Sequence, residues 1–174
     1  MKGKALISAG VVGLALAGVV AAHDSGARFK VATTLRSIEE VPALSTASSG
    51  FFKATIDTNN ETITYELYYE GIVGAPTQAH IHFGQVGVSG GVSVFLCSNG
   101  TAPAGTPACP EGPATVTGTL TATSVVGPDG QGIAPGEFAE LVSAIRKGVT
   151  YVNVHSSRFQ LGEIRGQLDH AFKR

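Results

Sequence analysis

The segment from Thr62 to Glu70 alternates without interruption. Ile63, Tyr65, Leu67 and Tyr69 fall on one parity, and Thr62, Thr64, Glu66, Tyr68 and Glu70 on the other. A period of two is the signature of a strand that buries one face, and no helix satisfies it. Just before it, Gly50 opens Phe51 to Asp57, where Phe52, Ala54 and Ile56 share a face, and Thr58-Asn59-Asn60 supplies a turn. The two runs therefore read as a hairpin. The same period recurs in Phe29 to Arg36, Gln78 to Phe83, Val92 to Leu96, Thr115 to Thr123, Val149 to His155 and Glu163 to Leu168. One segment departs from it: Phe138, Leu141, Val142 and Ile145 are spaced for a helix face, followed by Arg146-Lys147-Gly148. Early acid and late base suit the helix dipole, and glycine suits the stop. The expected fold is all-β: a single antiparallel β-sandwich of about eight strands with one short amphipathic helix.

The chain opens with Lys2 and Lys4, then an apolar, small-residue run from Ala5 to Ala22 ending in Val20-Ala21-Ala22. A positive start, an apolar middle and small residues at the junction describe a secretory signal peptide over 1–22. Residues 23–174 are then one domain, with no membrane span once the leader is removed. Loss of Lys2 and Lys4 moves the formal charge from −1 to −3. With no basic excess, nucleic acid is excluded as a partner class. The mature chain also loses Met1, its only methionine, which excludes a copper site built on a thioether. In an exported chain the two cysteines, Cys97 and Cys109, are expected to pair as a disulfide. Gly84, Gly87, Gly90 and Gly91 make the connection after Phe83 glycine-rich. No lysine and helix follow as a phosphate loop requires, so it reads as a turn.

Three of the five histidines lie inside strand patterns: His80 and His82 in Ala79-His80-Ile81-His82-Phe83-Gly84, and His155 at the end of Tyr151-Val152-Asn153-Val154-His155. Alternate side chains on a strand share a face, with Cα atoms about 6.5–7 Å apart. If Ile81, Phe83, Val152 and Val154 point to the core, the histidines point outward and could meet across neighbouring strands. Three neutral imidazoles hold copper or zinc and leave a fourth position open. The competing reading is a structural cluster in which the rings bond to one another, to Glu163 or to backbone. Glu163 and Arg165 alternate with Ile164 and are expected outside, either orienting an imidazole or forming an exposed ion pair. His23 would become the mature N-terminus after cleavage at Ala22 and could chelate copper with its amine. His170 lies in a charged tail, expected to be solvated. Ser156 and Ser157 follow His155 directly, and adjacent strand residues point apart, so no catalytic triad forms. Asn60-Glu61-Thr62 and Asn99-Gly100-Thr101 fit the glycosylation sequon.

In order, the chain carries Leu35-Arg-Ser-Ile-Glu-Glu-Val-Pro42, the hairpin, Ala79-His80-Ile81-His82-Phe83-Gly84, the helix, Tyr151-Val152-Asn153-Val154-His155 and Gly162-Glu163-Ile164-Arg165-Gly166-Gln167-Leu168. This resembles the CHRD domain, first described in chordin, over roughly residues 29–169. In chordin these domains belong to an extracellular antagonist that binds growth factors. The resemblance therefore implies a secreted or periplasmic module whose partner is an extracellular protein or surface ligand. Ala79 to Gly84 is also similar to the His-x-His strand that supplies copper ligands in copper/zinc superoxide dismutase. No histidine lies between His82 and His155, so the zinc loop of that enzyme is missing.

Three functions follow as expectations. The first is an exported, non-enzymatic CHRD module that binds one copper or zinc ion through His80, His82 and His155. The second is a mononuclear copper enzyme resembling superoxide dismutase, with Arg165 steering an anion. The third is a cell-surface interaction module without metal. An all-β fold decides none of them.

Overall fold

A computed structural model of the chain describes residues 27–170. The leader over 1–22 and His23 lie outside the described residues. Nine strands are present: β1 (Arg28–Arg36), β2 (Ser49–Asp57), β3 (Thr62–Glu70), β4 (Pro76–Phe83), β5 (Gly91–Ser98), β6 (Ala114–Leu120), β7 (Thr150–Ser156), β8 (Ile164–Gln167) and β9 (Asp169–His170), with α1 (Phe138–Arg146) between β6 and β7. Every pairing is antiparallel. The all-β, antiparallel expectation holds, and its two facing halves belong to one continuous sheet in the order β5-β4-β7-β8-β1-β2-β3-β6, with β9 beside β1.

The sheet curls until its end strands meet. Tyr65 on β3 donates its hydroxyl to the Leu96 carbonyl on β5 at 2.5 Å. Cys97 on β5 is joined to Cys109, in the segment before β6, with Cα atoms 5.1 Å apart. Between them Asn99 clamps the loop: its side chain donates to the carbonyls of Pro76 and Cys109 and accepts from the Cys109 amide. That same amide nitrogen is the atom a glycan would need. Opening this short loop removes a constraint worth about 3 kcal/mol on the unfolded chain. The Cys97→Ser, Cys109→Ser variant is therefore expected to melt roughly 10 °C lower, as calorimetry would measure; an unchanged melting temperature would contradict it.

The parity seen in the sequence fills the inside of the curl. Ile63, Leu67 and Tyr69 from β3 meet Phe52 and Ile56 from β2, Leu35 from β1, Ile81 from β4 and Val152 and Val154 from β7, all buried. Helix α1 adds Phe138, Leu141, Val142 and Ile145 to the same core. It lies where β1 begins, with the Arg146 guanidinium 4.7 Å from the centre of the Phe29 ring.

Two boundaries differ from expectation. β6 stops at Leu120, because the next residues turn into a short 3-10 helix, Ala122–Ser124, whose entry is fixed by Thr121 N–H donating to Ser124 Oγ. His170, expected in a solvated tail, has its backbone in β9, paired with Val31.

The larger correction concerns β7. Its sequence alternates, yet all seven residues are buried. It lies between β4 and β8, so its edges are occupied, and its outward face is roofed by loops. The glycine-rich loop after Phe83 and the segment after Ser156 both fold over it, as the contacts below show. His80, His82, His155, Glu163 and Arg165, expected outside, are consequently buried.

Candidate metal centre

β4 and β7 pair so that His80 faces Asn153, His82 faces Tyr151 and Gln78 faces His155. The register against β5 slips between Ala79 and His80 and again between Ile81 and His82. Such irregularities add local twist and re-aim side chains. The result is a compact cluster: the ring centres of His80 and His155 are 4.9 Å apart, those of His80 and His82 5.2 Å, and those of His82 and His155 5.8 Å. One nitrogen from each ring can be chosen so that all lie within 4.8 Å of one another.

Backbone carbonyls fix two of the tautomers. His82 Nδ1 lies 3.0 Å from the Gly90 carbonyl, and His155 Nδ1 lies 2.9 Å from the Gln160 carbonyl. A carbonyl only accepts, so each Nδ1 must carry its proton and each Nε2 presents a lone pair. His80 Nδ1 is 3.1 Å from His155 Nε2 and can donate to it. His80 Nε2 and His82 Nε2 are then left buried with no hydrogen-bond partner. Buried polar atoms normally find one. In this arrangement one proton is shared between His80 and His155, and the lone pairs of His80 Nε2 and His82 Nε2 stay unused. A metal ion would supply the missing acceptor of electron density. With the His80 proton moved to its Nε2, His80 Nδ1 and His155 Nε2 would both offer lone pairs, 3.1 Å apart, close to the roughly 3.3 Å between two nitrogens on a tetrahedral ion with bonds of about 2 Å. The residues fit a copper or zinc ion.

Burial also holds the rings neutral. It pulls the pKa of His80 from 6.5 down to about 2, helped by His155 and His82. Burial brings His82 to about 4 against the opposing pull of the Gly90 carbonyl, and it lowers His155 as well. Neutral imidazole is the form that binds metal.

The walls are aromatic. Phe95 on β5 meets His80 at right angles, with 4.4 Å between ring centres. Tyr151 stacks flat on His82 at 4.8 Å, and the Arg165 guanidinium lies 3.4 Å from the centre of the Tyr151 ring. Because β7 runs between β4 and β8, this makes a column of His82, Tyr151 and Arg165 across three strands.

Arg165 and Glu163 do not form the exposed ion pair considered above, because both face a roofed layer. Arg165 Nη2 donates to the carbonyls of Gln85 and Val88, tying down the glycine-rich loop. Glu163 Oε1 accepts from Ser48 Oγ and from the Val73 amide at 2.8 Å, tying β8 to other loops. The imidazoles are oriented by Gly90 and Gln160 carbonyls rather than by Glu163. Arg165 acts on His82 only through Tyr151 and the loop.

The roles of Glu40, Tyr151 and Gly90 were not read from the sequence. Glu40 is hydrogen-bonded by the Asn153 amide, and burial raises its pKa from 4.5 to about 7, although that amide and Arg165 pull it down. Asn153 shares the face of Tyr151 and His155, which was the available signal. Gly90 was legible only as one glycine among four. A Cβ there would sit 1.7 Å from the Phe83 carbonyl oxygen, backbone that cannot swing aside. Gly90→Ala is expected to cost about 3 kcal/mol, the upper end for overpacking, and to free His82 Nδ1. Gly130→Ala, where a Cβ meets nothing within 4 Å, is the control. Equal denaturation midpoints for the two variants would refute this role for Gly90.

Among the described residues, no helix is long and apolar enough to cross a membrane. No curated protein and no solved structure matches the chain. The family model of the CHRD domain matches residues 31–168, from within β1 through β8, taking in the cluster and its roof. The chain belongs to the CHRD domain family.

Proposed function

We propose that this protein is exported, loses residues 1–22, and acts outside the cytoplasm as a binding module that holds one copper or zinc ion through His80, His82 and His155. Export is supported by the leader pattern and the Cys97–Cys109 disulfide, since disulfides persist in oxidising compartments. Mass spectrometry of protein from its native host is expected to find a mature chain starting near His23; an intact Met1 terminus would end that part of the reading.

The observation that carries the metal is the convergence of one nitrogen from each of three buried imidazoles within 4.8 Å, with His82 Nε2 left without a hydrogen-bond partner. A structural cluster would ordinarily give that nitrogen a donor. Metal analysis of untagged protein, followed by titration, is expected to give one ion per chain. No binding of either metal would leave the metal-free interaction module as the function.

Binding is favoured over turnover by the state of Arg165. In a superoxide dismutase-like enzyme this residue would steer an anion. Here it is buried, stacked on Tyr151 and bonded to two carbonyls. Copper-loaded protein is expected to show no superoxide dismutation above free copper.

A further inference from the structure

The charge around the cluster discriminates between ions of different valence. Among the described residues, the group that could hold a metal consists of three histidines, with no carboxylate and no thiolate in it. Both cysteines are locked in the disulfide. Of the buried carboxylates, Glu40 is bonded by Asn153, and Glu163 Oε1 by Ser48 and Val73 while its Oε2 has no partner; neither belongs to the histidine group. A positive charge acts on the cluster, because Arg165 lies on the far face of the Tyr151 ring that stacks on His82. Phe95 meets the His80 ring at right angles.

An ion entering this site keeps its whole charge. Desolvation cost grows as the square of the charge, so a divalent ion meets four times the penalty of a monovalent one. Its repulsion from Arg165 is doubled. Zinc and cupric ions also seek a fourth ligand, and no fourth side chain joins the three histidines. A cuprous ion is content with three neutral nitrogens and brings a single charge.

Resting on the metal-binding reading above, we infer that the His80, His82 and His155 centre selects cuprous copper over divalent zinc, because no anionic group joins the three neutral imidazoles and Arg165 stands behind them.

The test is an anaerobic titration of the mature, untagged chain in two arms. Cuprous ion is competed against bicinchoninate, and zinc against a chromogenic zinc chelator. The expected result is one site with a dissociation constant for cuprous ion at least tenfold below that for zinc. A ratio under tenfold, or reversed, with binding abolished in the His82→Ala, His155→Ala double variant, overturns the valence selection while the metal site stands. Failure of both ions to bind at one per chain overturns the metal site itself. Arg165→Gln, checked for folding by circular dichroism, is expected to narrow the ratio by improving zinc more than copper. An unchanged ratio in a folded variant removes Arg165 from the explanation.

Discussion

Acidification is expected to destabilise the metal-free protein well above the pH at which carboxylates alone would do so. In the unfolded chain His80, His82 and His155 take up protons near pH 6.5; in the folded chain burial lowers all three, His82 to about 4 and His80 to about 2. Below pH 6.5 the unfolded state therefore binds protons that the folded state refuses. Stability is fully present above the unfolded value and falls with pH, by about 1.4 kcal/mol per unit for each ring. Glu40 works the other way. Its folded pKa is raised from 4.5 to about 7, so its contribution is complete below 4.5 and is lost as pH rises toward 7. Between pH 6.5 and 4.5 His80 and His82 refuse two protons while Glu40 holds one, a net slope of about 1.4 kcal/mol per pH unit, to which the lowered His155 adds in the same direction. Set against a typical total of about 5–15 kcal/mol, that removes a sizeable share of the stability before the carboxylates begin to protonate. Denaturant titrations at successive pH values would measure the slope. A flat profile between pH 6.5 and 4.5 would show that the rings are not held neutral.

Replacing either His82 or His155 by alanine is expected to weaken metal binding by more than tenfold, or at least about 1.4 kcal/mol. Each contributes an Nε2 whose direction is set by a carbonyl on its own Nδ1, Gly90 for one and Gln160 for the other. The loss should appear in stability too. Metal at a thousand times its dissociation constant stabilises the folded chain by about 4 kcal/mol, and the variants should forfeit most of that gain. Glu163→Gln separates ligation from general damage. Its carboxylate binds Ser48 and Val73 rather than an imidazole, so it should lower stability and leave metal affinity unchanged within about threefold, under ~1 kcal/mol. Isothermal titration and thermal melts with and without metal read both effects. Equal affinities in wild type, His82→Ala and His155→Ala would exclude these residues as ligands.

How much of this was legible in the sequence depends on the distance over which each feature is encoded. Strand parity is local. Ile63, Tyr65, Leu67 and Tyr69 point to the core as their alternation requires, and the spacing of Phe138, Leu141, Val142 and Ile145 gives the helix face. His80 and His82 share a face because they are two apart. The isolated pair Cys97 and Cys109 had only each other. The end of β6 was misread because Thr121 to Ser124 continues a β-branched composition while a local hydrogen bond turns the chain.

Glu163 and Arg165 mark where local reading stops. Their parity placed them on the face opposite Ile164, and that is where they are. It did not show that Ser48, Val73, Gln85 and Val88 would reach over to bind them. The sequence by itself determined the strands, the helix, the disulfide partners and which side chains share a face, because these follow from periods of two and 3.6 and from composition. Only the tertiary structure decided that the outward face of β4, β7 and β8 is a second buried layer. It alone turned His80, His82 and His155 from solvated rings into a neutral, partner-deficient cluster. The physical reason is that period states which residues lie together, while burial depends on what covers them, and here the cover comes from loops far along the chain.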